Sequence, residues 1–83
     1  MIKSINVREE LISRGWMLEK KGKNLYSFLA PDPIRVDKTS VLFVPRSDFE
    51  GRPNYDRIVN QTIYTIADIY EEDPNELRAR LQA

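Results

Sequence analysis

The stretch WMLEKKGKNLYSFLAP, residues 16–31, decides the fold. Two short apolar runs flank a polar, cationic tip, and Gly22-Lys23-Asn24 supplies the residue types that tight turns favour. The pattern predicts a β-hairpin whose first strand begins at residues 16–18. Its second strand spans residues 25–30, and its tip lies near residues 20–24.

Working outward, helix signals flank the hairpin on both sides. Asn6 followed by Glu9 resembles a capping box, and Gly15 is a natural helix stop, so a first helix is predicted over about 6–14. Apolar residues recur at helical spacing through residues 54–70 and predict a long helix. Asp73-Pro74 is typical of an N-cap followed by proline at the first position of a last short helix.

Between the hairpin and the long helix, residues 31–38 read as a loop and residues 40–44 as a third strand that is apolar on both faces. Pro45 ends that strand. The chain is therefore predicted to be one α+β domain over residues 1–83, in the order α-β-β-β-α-α, with a three-stranded antiparallel sheet and helices packed on one face.

The predicted core follows from the inward position of each element. Its members are Leu11, Ile12, Trp16, Leu18, Phe28, Phe43, Ile58, Ile63 and Ile66. Replacing Phe43 by Ala is expected to cost about 3–5 kcal/mol, as for a large buried aromatic residue. Met17 and either Leu42 or Val44 are expected on the second face of the sheet.

Composition excludes several chemistries. The 83 residues contain no cysteine and no histidine, which removes disulfides, thiolate metal sites and the commonest general base. The acidic residues near the end of the long helix lack metal-ligand spacing, so neither a metal nor another cofactor is expected. No apolar run reaches the roughly 18–20 residues of a membrane span, and the start lacks a signal peptide, so a cytoplasmic protein without membrane association is predicted.

Charge is balanced overall but uneven along the chain. Residues 1–46 carry a net +4 and residues 47–83 a net −4, so the total is zero. Such polarity suits an anionic partner or head-to-tail self-association, and a homodimer is an expected option.

The hairpin tip supplies the first set of candidate binding residues: Lys20, Lys21, Lys23, Asn24 and Tyr26. Three cations beside an aromatic ring can hold phosphates and stack a base. The alternative is a solvated tip whose lysines block pairing at the sheet edge.

The long helix and the connection before it supply the second set: Arg46, Arg52, Arg57, Phe49 and Tyr64. The arginines can bind an anion at the helix start, or pair with the acidic residues interleaved among them. Phe49 can plug the edge of the core or stand exposed as an interface residue. Tyr64 can serve an interface or pack under the last helix.

The first half of the chain resembles the HicA toxin family over roughly residues 8–46. The resemblance rests on Leu11, Ile12, Gly15, Trp16, Gly22, Phe28, Pro31, Val44 and Pro45. It implies a fold similar to double-stranded-RNA-binding domains and a messenger-RNA-cleaving ancestor that used a histidine in the hairpin. Leu25 stands where that histidine would fall, so the resemblance implies a non-catalytic version of the scaffold.

These features predict a small non-catalytic interaction domain, of prokaryotic or phage origin, that binds another protein as an inhibitor or accessory subunit. The first alternative is an RNA- or DNA-binding module that uses the hairpin lysines. The last is a ribonuclease that works without histidine, through Tyr26, Arg46 or Lys23.

Overall fold

The computed structural model describes residues 1–32, 34 and 41–82. The predicted order α-β-β-β-α-α is confirmed. The elements are α1 (Ser4–Ser13), β1 (Met17–Lys21), β2 (Leu25–Leu29), β3 (Val41–Pro45), α2 (Tyr55–Tyr70) and α3 (Pro74–Leu81), and a 3-10 turn, Ser47–Phe49, lies between β3 and α2. Most of the predicted loop at residues 31–38, and Ser40 at the predicted start of the third strand, lie outside the described residues.

The three strands form one antiparallel sheet in the order β1-β2-β3. The hairpin turn closes through a hydrogen bond from Gly22 N to Leu25 O at 2.8 Å. A Cβ at Gly22 would lie 2.8 Å from that same carbonyl oxygen, so only glycine fits there without a backbone shift. A bulge between Leu18 and Lys20 interrupts the β1–β2 register.

The first helix begins two residues earlier than predicted, and the capping box is wrong. Lys3 is the N-cap, and it makes no side-chain capping bond. Asn6 lies inside the helix instead, and its Nδ2 donates to Leu81 O at 2.9 Å, which joins α1 to the end of the chain. The predicted stop is confirmed, because Gly15 follows the helix with a φ of 90°.

The two later helices begin close to where the sequence places them. The long helix α2 ends at Tyr70, and its C-cap residue Glu71 takes the left-handed conformation with a φ of 55°. Asp73 caps α3 by accepting a hydrogen bond from Asn75 N at 2.9 Å, so the predicted N-cap is confirmed.

The helices pack on one side of the sheet, and the core lies between the two layers. Phe28, Leu42 and Val44 supply the sheet side of the core. From the helices, Leu11, Ile63 and Ile66 are buried as predicted, together with Val7, Tyr55, Val59, Leu77 and Leu81. Trp16, between α1 and β1, is also buried as predicted.

Three predicted core residues are exposed instead. Phe43 is 48% exposed, Ile12 58% and Leu18 41%, while Ile58 is partly buried. Leu42 and Val44 point toward the helices, so alternation along β3 turns Phe43 to the other face. This also corrects the expectation that Leu42 or Val44 would lie on the second face.

The other two exposures have local causes. Ile12 follows Leu11 directly, so a turn of about 100° per residue carries it off the buried stripe of α1. Leu18 lies on the edge strand beside the bulge, and all five residues of β1 are exposed.

An arginine network ties α1 to the last helices. Arg14 binds Glu10 at 2.8 Å and Glu72 at 2.7 Å, and its guanidinium stacks 4.5 Å from the centre of the Tyr70 ring. Burial alone would raise the pKa of Glu10, but hydrogen bonds from Arg80 and Arg14 bring that pKa below its usual value. The hydrogen bond from Arg14 likewise lowers the pKa of Glu72.

Candidate functional site

The face of the sheet that turns away from the helices carries a cluster of apolar side chains. This open face consists of Met17, Leu25, Leu29, Val41 and Phe43, which the register brings together: Met17 pairs with Leu29, and Leu29 with Val41. Met17 is 63% exposed and Phe43 48%, while the other three are partly buried. Large apolar side chains gathered on one exposed face are typical of an interaction surface.

One end of the open face is basic. A shallow pocket of about 260 Å³ lies beside Phe43, and Lys20, Lys23 and Leu25 contribute to its walls. Both lysines are exposed. The neighbouring Ser27 hydroxyl donates to Glu19 Oε1 at 3.3 Å, so one carboxylate also borders this end.

The long helix α2 lies along the β3 edge of the open face. The Thr62 hydroxyl donates to Phe43 O at 2.6 Å, which holds the helix against β3. A second shallow pocket, of about 300 Å³, runs between Phe43, Leu25 and the α2 residues Ile58 and Gln61. The helix therefore protects the β3 edge, whereas β1 is the exposed edge of the sheet.

A separate cationic cluster surrounds Tyr26 on the helix side of the sheet. The guanidinium carbons of Arg8 and Arg46 lie 4.7 and 5.2 Å from the centre of its ring. Lys21 pairs with Tyr26 across the strands, which places the two side chains on the same face. Arg46 also donates to Gly22 O at 3.2 Å, so the cluster is attached to the hairpin tip.

The candidate residues of the hairpin tip are thus divided between two faces. Lys20 and Lys23 line the pocket on the open face together with Asn24, whose carbonyl also accepts from Arg46 N at 3.0 Å. Lys21 and Tyr26 belong to the helix side.

Phe49 is partly buried and packs against the core, as the plug interpretation expects. Arg52 stacks on its ring at 4.7 Å, and the two residues line an apolar cleft of about 350 Å³ with Pro45, Tyr55 and other residues of this end. The pKa of Tyr55 in this cleft is raised to about 12, first by burial and then by the charges of Glu50 and Asp56.

The remaining candidates lie along α2 and do not join either cluster. Arg57 is exposed in the first turns of the helix. Tyr64 is 49% exposed, and Arg78 of α3 covers its ring at 5.1 Å, so it is neither free on all sides nor buried beneath the last helix. The sequence offered pairing with acidic residues as one role for the three arginines around the helix start. Arg46 forms such a pair, with its Nε 3.8 Å from Asp48 Oδ1.

Sequence reasoning missed Arg8 and the outward position of Phe43. Nothing in the sequence near Arg8 indicates that it stacks on Tyr26, because the contact joins residues on different elements. Phe43 had a weak signal, since a four-residue apolar run must place alternate side chains on both faces of its strand.

Within the described residues, no cluster of acidic side chains is arranged to hold a metal ion. Among the described residues, no helix is both long enough and apolar enough to cross a bilayer. Comparison with protein-family models, curated proteins and solved structures finds no match to this chain.

Proposed function

We propose that this chain is a small non-catalytic interaction domain that binds another protein through its open sheet face. The observation that carries the proposal is the exposure of Phe43 and Met17 on one face together with three partly buried apolar residues. Covering such a surface removes apolar area from water, at roughly 25 cal/mol per Å².

The charges around this face favour a partner with an acidic rim. Lys20 and Lys23 border the apolar centre at the hairpin tip, and no ion pair involves either lysine within the described parts of the chain. Rim charges chiefly increase the rate of encounter, whereas the apolar centre determines how long a complex lasts. We propose that the chain acts as an inhibitor or accessory subunit in the cytoplasm of a prokaryote or phage-infected cell. We also propose that its scaffold is similar to that of the HicA family.

The test compares two aromatic residues of nearly equal exposure. Phe43→Ser and Tyr64→Ser remove side chains that are 48% and 49% exposed on different surfaces. Each variant and the unaltered protein would be used to capture partners from the source cell, with quantitative mass spectrometry as the readout. We expect a captured protein to be lost with Phe43→Ser and kept with Tyr64→Ser. Equal capture by all three would refute the role of the open face.

Self-association through the same face is the second form of this proposal. Sedimentation at low salt and high concentration should then show a dimer in the unaltered protein and a monomer in Phe43→Ser. A strict monomer in both would leave only a different protein as the partner.

Nucleic-acid binding is a second candidate function, favoured by one observation. Lys20, Lys21 and Lys23 are all exposed, and no carboxylate pairs with them in the described residues. Replacing all three by Ser should leave folding within about 0.5 kcal/mol of the parent, as for surface changes. If RNA or DNA binds there, the slope of log affinity against log salt should fall by about one for each lost phosphate contact. An unchanged slope would exclude the tip, and a turnover assay on RNA tests the ribonuclease alternative.

A further inference from the structure

Two arginine guanidinium groups lie against the Tyr26 ring, whereas one lies against each of the other arginine-stacked rings in the described residues. Arg14 on Tyr70 is neutralised by Glu10 and Glu72. Around Tyr26, in contrast, Arg8 and Arg46 both approach within about 5 Å of the ring centre. Two like charges beside one ring repel each other, and a nearby anion would offset this repulsion.

The partners of Arg8 are neutral. Its Nε donates to the Ser4 hydroxyl at 3.2 Å, and its Nη2 donates to the Ser47 hydroxyl at 2.8 Å. No carboxylate lies within ion-pair distance of this guanidinium among the residues that the structure describes. Its charge is therefore held in place by hydroxyl groups and not by a direct ion pair, although Glu50 lies beside the same serine and accepts from Ser4 N at 2.8 Å.

Arg46 is only weakly neutralised. Its Nη1 donates to the Gly22 carbonyl, and its Nε lies 3.8 Å from Asp48 Oδ1. The Asp48 side chain is 73% exposed, so water screens this pair. Lys21, the cross-strand neighbour of Tyr26, adds a third positive charge. Against these three cations stand two carboxylates, the exposed Asp48 and the partly buried Glu50, which accepts from Ser4 N at 2.8 Å.

We propose that Arg8, Arg46, Lys21 and the Tyr26 hydroxyl form a binding site for a phosphate monoester. Guanidinium groups match phosphate oxygens through paired N–H donors, and Lys21 supplies a further charge. Three cations against Asp48 and Glu50 leave one positive charge in excess. A monoester carries about −1.5 to −2 at pH 7 and therefore gains more from these cations than a phosphodiester with a single charge does. The Tyr26 hydroxyl makes no hydrogen bond within the described residues, so its O–H can donate to a phosphate oxygen. The site lies on the helix side of the sheet and does not depend on the open face.

Inorganic phosphate is the first probe. Its binding would be followed at pH 7.5 by NMR titration of the backbone amides and arginine Nε–H groups, with sodium chloride at matched ionic strength as the reference. We expect saturable shifts at Arg8, Arg46 and Ser47 with phosphate, and small linear ones with chloride. Binding should weaken at pH 5.5, where phosphate is mainly the monoanion.

Three variants separate the site from general attraction to the protein. Arg46→Gln and Lys21→Gln should each weaken phosphate binding, Arg46→Gln by at least about tenfold, as expected for loss of a charged hydrogen-bond donor. Lys21 is exposed, so its replacement leaves folding intact even if Arg46→Gln proves unstable. Arg78→Gln is the matched control, because Arg78 also stacks on a tyrosine ring but has amide partners at Asn60 and Asn75. Equal shifts with chloride, or unchanged affinity in Lys21→Gln and Arg46→Gln, would overturn the site.

Two further ligands identify the source of the phosphate. A phosphoserine peptide and a 5′-phosphorylated oligonucleotide would each be compared with their unphosphorylated forms. If one phosphorylated ligand binds more tightly than inorganic phosphate, that ligand represents the source of the phosphate group. If neither binds more tightly, the ligand is a small free phosphate. If the unphosphorylated oligonucleotide binds as tightly as the phosphorylated one, the site recognises phosphodiesters and the monoester assignment is wrong.

Discussion

The two faces of the sheet are both apolar, yet they have opposite environments. On the helix side Phe28, Leu42 and Val44 are at most 6% exposed, whereas on the open face Phe43 and Met17 are 48% and 63% exposed. Neighbouring residues of β3 therefore lie in different environments: Leu42 and Val44 stabilise the fold, whereas Phe43 meets solvent on the face that we propose binds a partner. Hydrophobic character alone does not tell which of the two roles a strand residue has.

The largest effect is expected from Phe28→Ala. Phe28 is 1% exposed and lies in the central strand, so its loss leaves a cavity that the surrounding helices cannot fill. The free energy of unfolding should fall by about 3–5 kcal/mol, as measured by urea denaturation. A loss below about 1 kcal/mol would mean that the helix side is not the core.

A smaller effect is expected from Thr62→Val, which keeps the side-chain volume but removes the hydrogen bond to Phe43 O. The buried hydroxyl holds α2 against the β3 edge, so unfolding should become easier by about 1–2 kcal/mol. Thr65→Val is the matched control, since the Thr65 hydroxyl donates only to Gln61 O within its own helix. Equal losses in the two variants would show that the contact between helix and strand does not matter.

The acid stability of the helix layer gives a third prediction. The pKa values of Glu10 and Glu72 are lowered in the folded protein, so the unfolded chain binds more protons once the pH falls toward their usual value of 4.5. Stability from these carboxylates is present above that value and is lost as the pH falls through their folded pKa values.

Glu72→Gln tests this at the exposed end of the network. The Glu72 side chain is 38% exposed, so the variant should lose only about 1 kcal/mol at pH 7. The difference from the parent should shrink below pH 4, in urea unfolding measured across pH. Asp68→Asn on the exposed face of α2 serves as the control, and an unchanged difference at low pH would argue against the ion pair.

Much of the fold was predictable because its signals are local. Gly22 with its polar neighbours marked the hairpin, and Asp73 with Pro74 marked the start of α3. The false capping box shows the limit of a local signal, because tertiary packing carries α1 back to Ser4 and leaves Asn6 to bond to the chain end.

The candidate sites were less predictable, because they depend on contacts between distant elements. Lys21 and Tyr26 were recognised as binding candidates, but Arg8 reaches the ring only after α1 packs near the hairpin. Phe43 was assigned to the core because a doubly apolar strand carries no alternation from which its inward face can be read.

The measurement that most directly tests the open face is urea unfolding of Phe43→Ala. If Phe43 serves a partner rather than the core, the free energy of unfolding should fall by less than about 1 kcal/mol, because the side chain already meets solvent over 48% of its surface. A loss of about 3–5 kcal/mol, as expected for a fully buried phenylalanine, would contradict the account and return Phe43 to the core.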